Sequence, residues 1–156
     1  MNRTIQVALV LVVLGAGGFA LAHAQNNVQQ PMSASGTASD VPAHHEAPPK
    51  GPLPATLDPK LFPDAQTQNV YALAAKVKKI LYQQPCYCRC DREVGHQSLL
   101  DCYVDRHAAV CATCKMEAVF TYEESRKGKT AAQIRQEIID GKWRTVDLSR
   151  YSAPAK

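Results

Sequence analysis

A chain of 156 residues with a formal net charge of +4 makes one folded domain the starting expectation. Its lysines and arginines are dispersed and carry no base-reading or stacking motif, so nucleic acid is set aside as a partner. No Gly-rich phosphate loop, G-x-S-x-G or H-E-x-x-H motif is present, which leaves six clustered cysteines as the source of any chemistry.

The N-terminus reads as an export signal over residues 1–24. Asn2-Arg3 supplies a positive start, Ile5 to Leu14 is apolar except for Gln6, and Ala22-His23-Ala24 is an A-x-A cleavage site. The apolar run falls short of the roughly 20 residues that a membrane span needs, so a retained anchor is the weaker reading. Stable membrane insertion is expected only if the signal stays uncleaved. The mature chain is then exported, periplasmic or extracellular, where disulfides form and persist.

Residues 25–58 are rich in Gln, Asn, Ser, Ala and Pro, and predict a disordered linker that cannot bury enough surface to offset its ordering entropy. His44-His45 lies in this stretch, and two adjacent imidazoles in a mobile tail make weak metal ligands. A Cys-rich helical domain is expected over 59–151, followed by a flexible tail at 152–156.

Within that domain the fold class is mostly α, with about four helices. Val70, Leu73, Ala74, Val77, Ile80 and Leu81 recur at the spacing of one amphipathic helix, which Pro85 should stop near Gln84. The residues after Cys90 are polar and turn-like. Ser98-Leu99-Leu100-Asp101 is a capping-box variant opening a short helix that carries Cys102. If Asp105 caps the next helix, His107, Cys111, Cys114 and Ala118 form one continuous stripe along it. Glu123-Glu124 reads as a solvated face of that helix. Thr130-Ala131-Ala132-Gln133 is a capping box for a last helix burying Ile134, Ile138 and Ile139, with Gly141 past its end and Trp143 folded back as a lid. No strand pattern or internal repeat is visible.

The thiols fall in two groups, Cys86, Cys88 and Cys90, then Cys102, Cys111 and Cys114. Thiolate selects Cu(I), Zn(II) or iron–sulfur chemistry, and it is also the nucleophile of disulfide exchange. In an extended segment, Cys86, Cys88 and Cys90 would sit about 6.6–6.8 Å apart in steps of two residues, near the long limit for pairing with one another. Bonds or a shared metal linking them to the second group are easier. Cys111-Ala112-Thr113-Cys114 has C-x-x-C spacing, and a helix N-terminus there would lower the Cys111 pKa. Arg89, Arg92 and Arg106 are close enough in sequence to favour thiolates. His107 shares the stripe of Cys111 and Cys114 and is a ligand candidate. A lone histidine is more often a satisfied core or surface residue, and His96 is read that way.

Pro85-Cys86-Tyr87-Cys88-Arg89-Cys90, Gly95-His96-x-Ser98-Leu99-x-Asp101-Cys102 and His107-x-Ala109-x-Cys111-x-x-Cys114 together resemble the bacterial PCYCGC, or CYCXC, family. The resemblance implies a small exported protein, often a lipoprotein, of unassigned activity, some relatives being selenoproteins, which favours redox or soft-metal chemistry at Cys86, Cys88 and Cys90. This chain departs from the pattern in two ways. Arg89 replaces the family's glycine, so a positive backbone angle there would be strained, and the lipidation cysteine is missing.

The leading expectation is a non-enzymatic, exported domain binding a soft metal, Cu(I) or Zn(II), for sequestration or delivery. Its ligands would come from Cys86, Cys88, Cys90, Cys111 and Cys114, with Cys102 and His107 as further candidates, and its partner would be a metal donor or acceptor. The second is a thiol–disulfide redox protein, and so an oxidoreductase, working with a redox partner protein. There Cys111 attacks, Cys114 resolves, and the Cys86–Cys90 cluster relays electrons. The third is a purely structural disulfide framework. For a shared site, sulfurs of the two motifs should lie on the order of 2–5 Å apart, with Arg89 or Arg106 at the rim.

Overall fold

The computed structural model describes residues 40–153. The signal-peptide reading, the linker up to residue 39 and residues 154–156 lie outside them.

Every regular element among the described residues is helical. There are seven α-helices rather than about four: α1 (Ala65–Lys76), α2 (Lys78–Leu81), α3 (Cys90–Glu93), α4 (Asp101–Val104), α5 (His107–Val110), α6 (Ala112–Arg126) and α7 (Ala131–Ile139). Only α1, α6 and α7 are substantial. The surplus comes from breaks that hydrophobic period does not register. Val77, with φ −122° and ψ 23°, interrupts the predicted first helix, although the apolar pattern runs straight through it and neither Gly nor Pro marks the spot.

α1 starts where the Asp64 carboxylate accepts from the Thr67 N–H at 2.8 Å, satisfying one orphan donor. It packs on α6 through Val70, Tyr71 and Ala74, which meet Ala118 and Val119 in one buried core with Leu81, Leu99, Leu100 and Tyr103. Tyr103 is fully buried, and its hydroxyl donates to the Cys114 carbonyl at 2.8 Å, so core and thiol cluster share a strut. α7 opens with the capping box expected at Thr130 and Gln133. Ile134 and Ile138 form a second buried cluster with Phe120 and Trp143, and Trp143 does fold back onto it. Ile139 is only half-buried.

The capping-box variant at Ser98 forms only its return half. The Asp101 carboxylate accepts from the Ser98 N–H at 3.1 Å and from the Gln97 N–H at 2.7 Å, while the Ser98 hydroxyl is buried without a partner among the described residues. Glu124 is not on a solvated face. It is buried between Lys127 and Lys129, each at 2.5 Å, and Lys129 continues to Glu137 on α7 at 2.7 Å.

Part of the stretch read as a disordered linker is laid against the domain. His45 stacks on Tyr82 with ring centroids 3.8 Å apart, Glu46 pairs with Arg135, and the Ala43 N–H reaches the Asp91 carboxylate at 3.2 Å. Leu57 donates its N–H to the Tyr103 carbonyl at 2.9 Å. Composition hides this strap because most of its anchors are single polar or aromatic side chains and one backbone carbonyl on the domain, with Leu53 and Leu57 adding apolar packing on the core.

Candidate metal centre

Three local devices bring the thiols together. The first is a tight turn in the Cys86–Cys90 segment in place of an extended run. The Arg89 N–H returns to the Cys86 carbonyl at 3.2 Å, and Arg89 itself takes φ 66° and ψ 25°. That folding brings Cys86 Sγ and Cys88 Sγ to 3.3 Å. The positive φ anticipated at Arg89 is present, and Arg89 is the sole non-Gly residue with one among the described residues. Its side chain reaches Asp40 at 2.6 Å and lies over the Tyr87 ring at 5.6 Å. Arg106 lies over the Phe62 ring at 5.4 Å, so these two arginines face partners other than the sulfurs.

Arg89→Gly relieves the left-handed strain but loses both side-chain contacts, whereas Arg89→Ala loses the contacts and keeps the strain. The glycine variant is therefore expected to be more stable than the alanine variant by about 1 kcal/mol in urea unfolding of the reduced protein.

The second device is the break at Cys111. Its backbone is extended (φ −110°, ψ 109°), so α5 and α6 are separate and the expected continuous stripe from His107 to Ala118 is interrupted. Cys111 becomes the N-cap of α6, its Sγ accepting from the Cys114 N–H at 3.5 Å. The kink still delivers His107, from α5, to the cluster, with Nε2 3.4 Å from Cys88 Sγ. The third device is α4, which presents Cys102 Sγ to Cys90 Sγ at 3.4 Å.

The two motifs meet. Cys114 Sγ lies 3.4 Å from Cys86 Sγ and 3.5 Å from Cys88 Sγ. All six cysteines are free thiols; Cys86, Cys90, Cys102 and Cys114 are buried, and Cys88 and Cys111 are half-buried. Three sets of four donors have their atoms within 4.8 Å of one another: Cys86, Cys88, Cys102 and Cys114; Cys88, Cys90, Cys102 and His107; Cys88, His107, Cys111 and Cys114. Cys88 belongs to all three.

Thiols packed this closely cannot all ionise. Cys88 is held low, because hydrogen bonds from Cys102, Cys111, Cys114 and Cys86 favour its thiolate. Cys114 is pushed well up by the sulfurs of Cys102, Cys111, Cys86 and Cys88 and by burial. For Cys111 the contact with Cys114 favours thiolate, but the Cys88 sulfur and burial outweigh it and raise the pKa. The lowered value expected for a C-x-x-C nucleophile is not what this arrangement produces. A soft cation changes the balance, since binding replaces the protons.

Two residues around the sulfurs were poorly legible in the sequence. Glu117, three residues after Cys114, is fully buried on α6, and its Oε1 accepts from the Tyr87 N–H at 2.8 Å. Burial pushes its pKa up to about 8, against the Tyr87 N–H and the Cys86 thiol, which favour the carboxylate. It braces the Cys86–Cys90 turn from below. The signal was a glutamate on the same helical face as Cys114 and Ala118. The other residue is His96, read as a satisfied histidine, whose Nδ1 lies 3.3 Å from Cys102 Sγ. His44 and His45 are turned to Pro42, Glu46 and Tyr82 instead. A surface hollow lined by Tyr122, Glu123, Arg126, Lys127 and Arg150 contains no thiol or imidazole.

An all-helical domain with its thiols and an imidazole converged in this way is one whose clustered cysteines and histidine could hold a metal ion. The chain belongs to the family described as "Protein of unknown function with PCYCGC motif", whose pattern it matches over residues 7–155. No curated protein and no solved structure matches it.

Proposed function

We propose that this domain binds a soft metal ion, Cu(I) or Zn(II), through its clustered thiolates and serves in sequestration or delivery rather than catalysis. The observation that carries the proposal is the spacing of the sulfurs. The contacts of 3.3–3.5 Å among Cys86, Cys88 and Cys114 lie close to the edge of a tetrahedron with 2.3 Å metal–sulfur bonds, about 3.8 Å. Ligands placed this way need little rearrangement on binding, so little ordering entropy opposes it. Export and a metal-donor or metal-acceptor partner belong to the same proposal, resting on the N-terminal signal.

Elemental analysis tests it directly on protein purified from the exported fraction without chelator. At least one equivalent of copper or zinc is expected, or rapid uptake of Cu(I) by the reduced protein. Less than about 0.2 equivalents with no uptake overturns it.

A further inference from the structure

We infer that the centre takes two soft ions rather than one, bridged by Cys88, and that His96 is a ligand of the second. This rests on the metal-binding proposal and extends it to the number of ions and to a residue outside the donor sets given above.

The donors divide into two lobes. Cys111 appears only with Cys114 and Cys90 only with Cys102, while Cys86 is grouped with both Cys114 and Cys102. Cys88 belongs to every set and stands between the lobes, 3.5 Å from Cys114 Sγ on one side and 3.4 Å from His107 Nε2 on the other. A single four-coordinate ion held by Cys88, His107, Cys111 and Cys114 leaves Cys90 and Cys102 with their sulfurs 3.4 Å apart, both buried and with no cation between them. A thiolate has lone pairs for two metals. Cys88 placed between two ions serves as a ligand to both.

His96 supplies what the Cys102 lobe lacks. Its Nδ1 points at Cys102 Sγ at 3.3 Å, while its Nε2 lies 3.3 Å from the Asp105 carboxylate. A carboxylate on the far nitrogen takes that N–H, leaving the near nitrogen as a lone pair directed at the sulfurs. Metal-binding histidines are commonly oriented in this way. The ring also packs edge-on to His107, with centroids 5.2 Å apart, so two imidazoles flank the same lobe. The second ion therefore draws on Cys88, Cys90, Cys102 and one or both imidazoles, and the first on Cys88 and Cys114 with Cys86 or Cys111, which share no four-donor set with each other.

The test is an anaerobic titration of the reduced full chain with Cu(I) against a chromophoric chelator, repeated with Zn(II). The two arms tell which ion fills both lobes. The expected result is saturation at two or more ions per chain, with His96→Asn lowering affinity for the last ion at least tenfold and leaving the first unchanged. Far-UV circular dichroism shows whether that variant keeps its helices. If it does not, X-ray absorption of the loaded wild type decides, the expected signature being a metal–metal shell and nitrogen in the first shell. Saturation at one ion, absence of the metal–metal shell, or a folded His96→Asn protein that titrates like wild type overturns the inference and leaves the metal-binding proposal standing. No uptake of either ion overturns that proposal itself.

Discussion

Cys88→Ser is expected to weaken Cu(I) binding by at least about 100-fold, close to 3 kcal/mol, in a chelator competition on reduced protein. No other side chain belongs to all three donor sets, and it is the thiol whose neighbours favour its ionised form. A serine there keeps the volume nearly unchanged at a half-buried position, so the fold should persist while the centre loses its shared ligand. Cys111→Ser is the comparison. That thiol belongs to one donor set only, and its loss should cost about tenfold. Equal losses in the two variants would mean that Cys88 holds no special place.

Glu117 carries the second large effect, on stability rather than binding. Glu117→Ala removes the buried acceptor of the Tyr87 N–H and leaves a cavity under the turn, which should destabilise the metal-free, reduced domain by about 2–4 kcal/mol. Glu117→Gln keeps the acceptor and separates packing from charge. The carboxyl of the folded chain titrates near 8, above the ordinary 4.5, so between those values the native state holds a proton that the unfolded chain has released. Stability from this group is then full below the ordinary value and falls as pH rises towards the folded one. Urea unfolding of metal-free wild type should therefore show stability declining from about pH 5 to 8, by an amount on the order of a few kcal/mol, and the glutamine variant should show a much flatter profile. Parallel profiles would remove the buried carboxyl as the cause.

These two residues mark how far the sequence could be read. Cys88 was visible as a ligand candidate from its motif, and so were the other thiols and His107, because thiol clustering is local in sequence. Helical character was equally plain, since Val70 to Leu81 and Ile134 to Ile138 bury the residues their periods select. What escaped was anything decided by a single backbone angle. The breaks at Val77 and Cys111 leave hydrophobic period intact, so the sequence predicts one long helix at each place where two stand. The Cys111 break matters most, because it turns a C-x-x-C cysteine from a first-turn residue into a cap. Glu117 and His96 escaped for a different reason. Each takes its role from a partner in another segment, Tyr87 for one and Cys102 of α4 with Asp105 at its end for the other. The strap from Asp40 was missed because its contacts are paid out one side chain at a time.

The most direct test of the central claim is a count of thiols by intact mass. Native protein, isolated without reductant, is unfolded in urea with a chelator and alkylated. A metal centre predicts six additions to every chain, and predicts that the same alkylation of the folded, metal-loaded protein adds few or none. Additions missing in pairs from the unfolded protein, restored only by a reductant, would mean that the sulfurs are held in disulfides and would contradict metal binding as their native role.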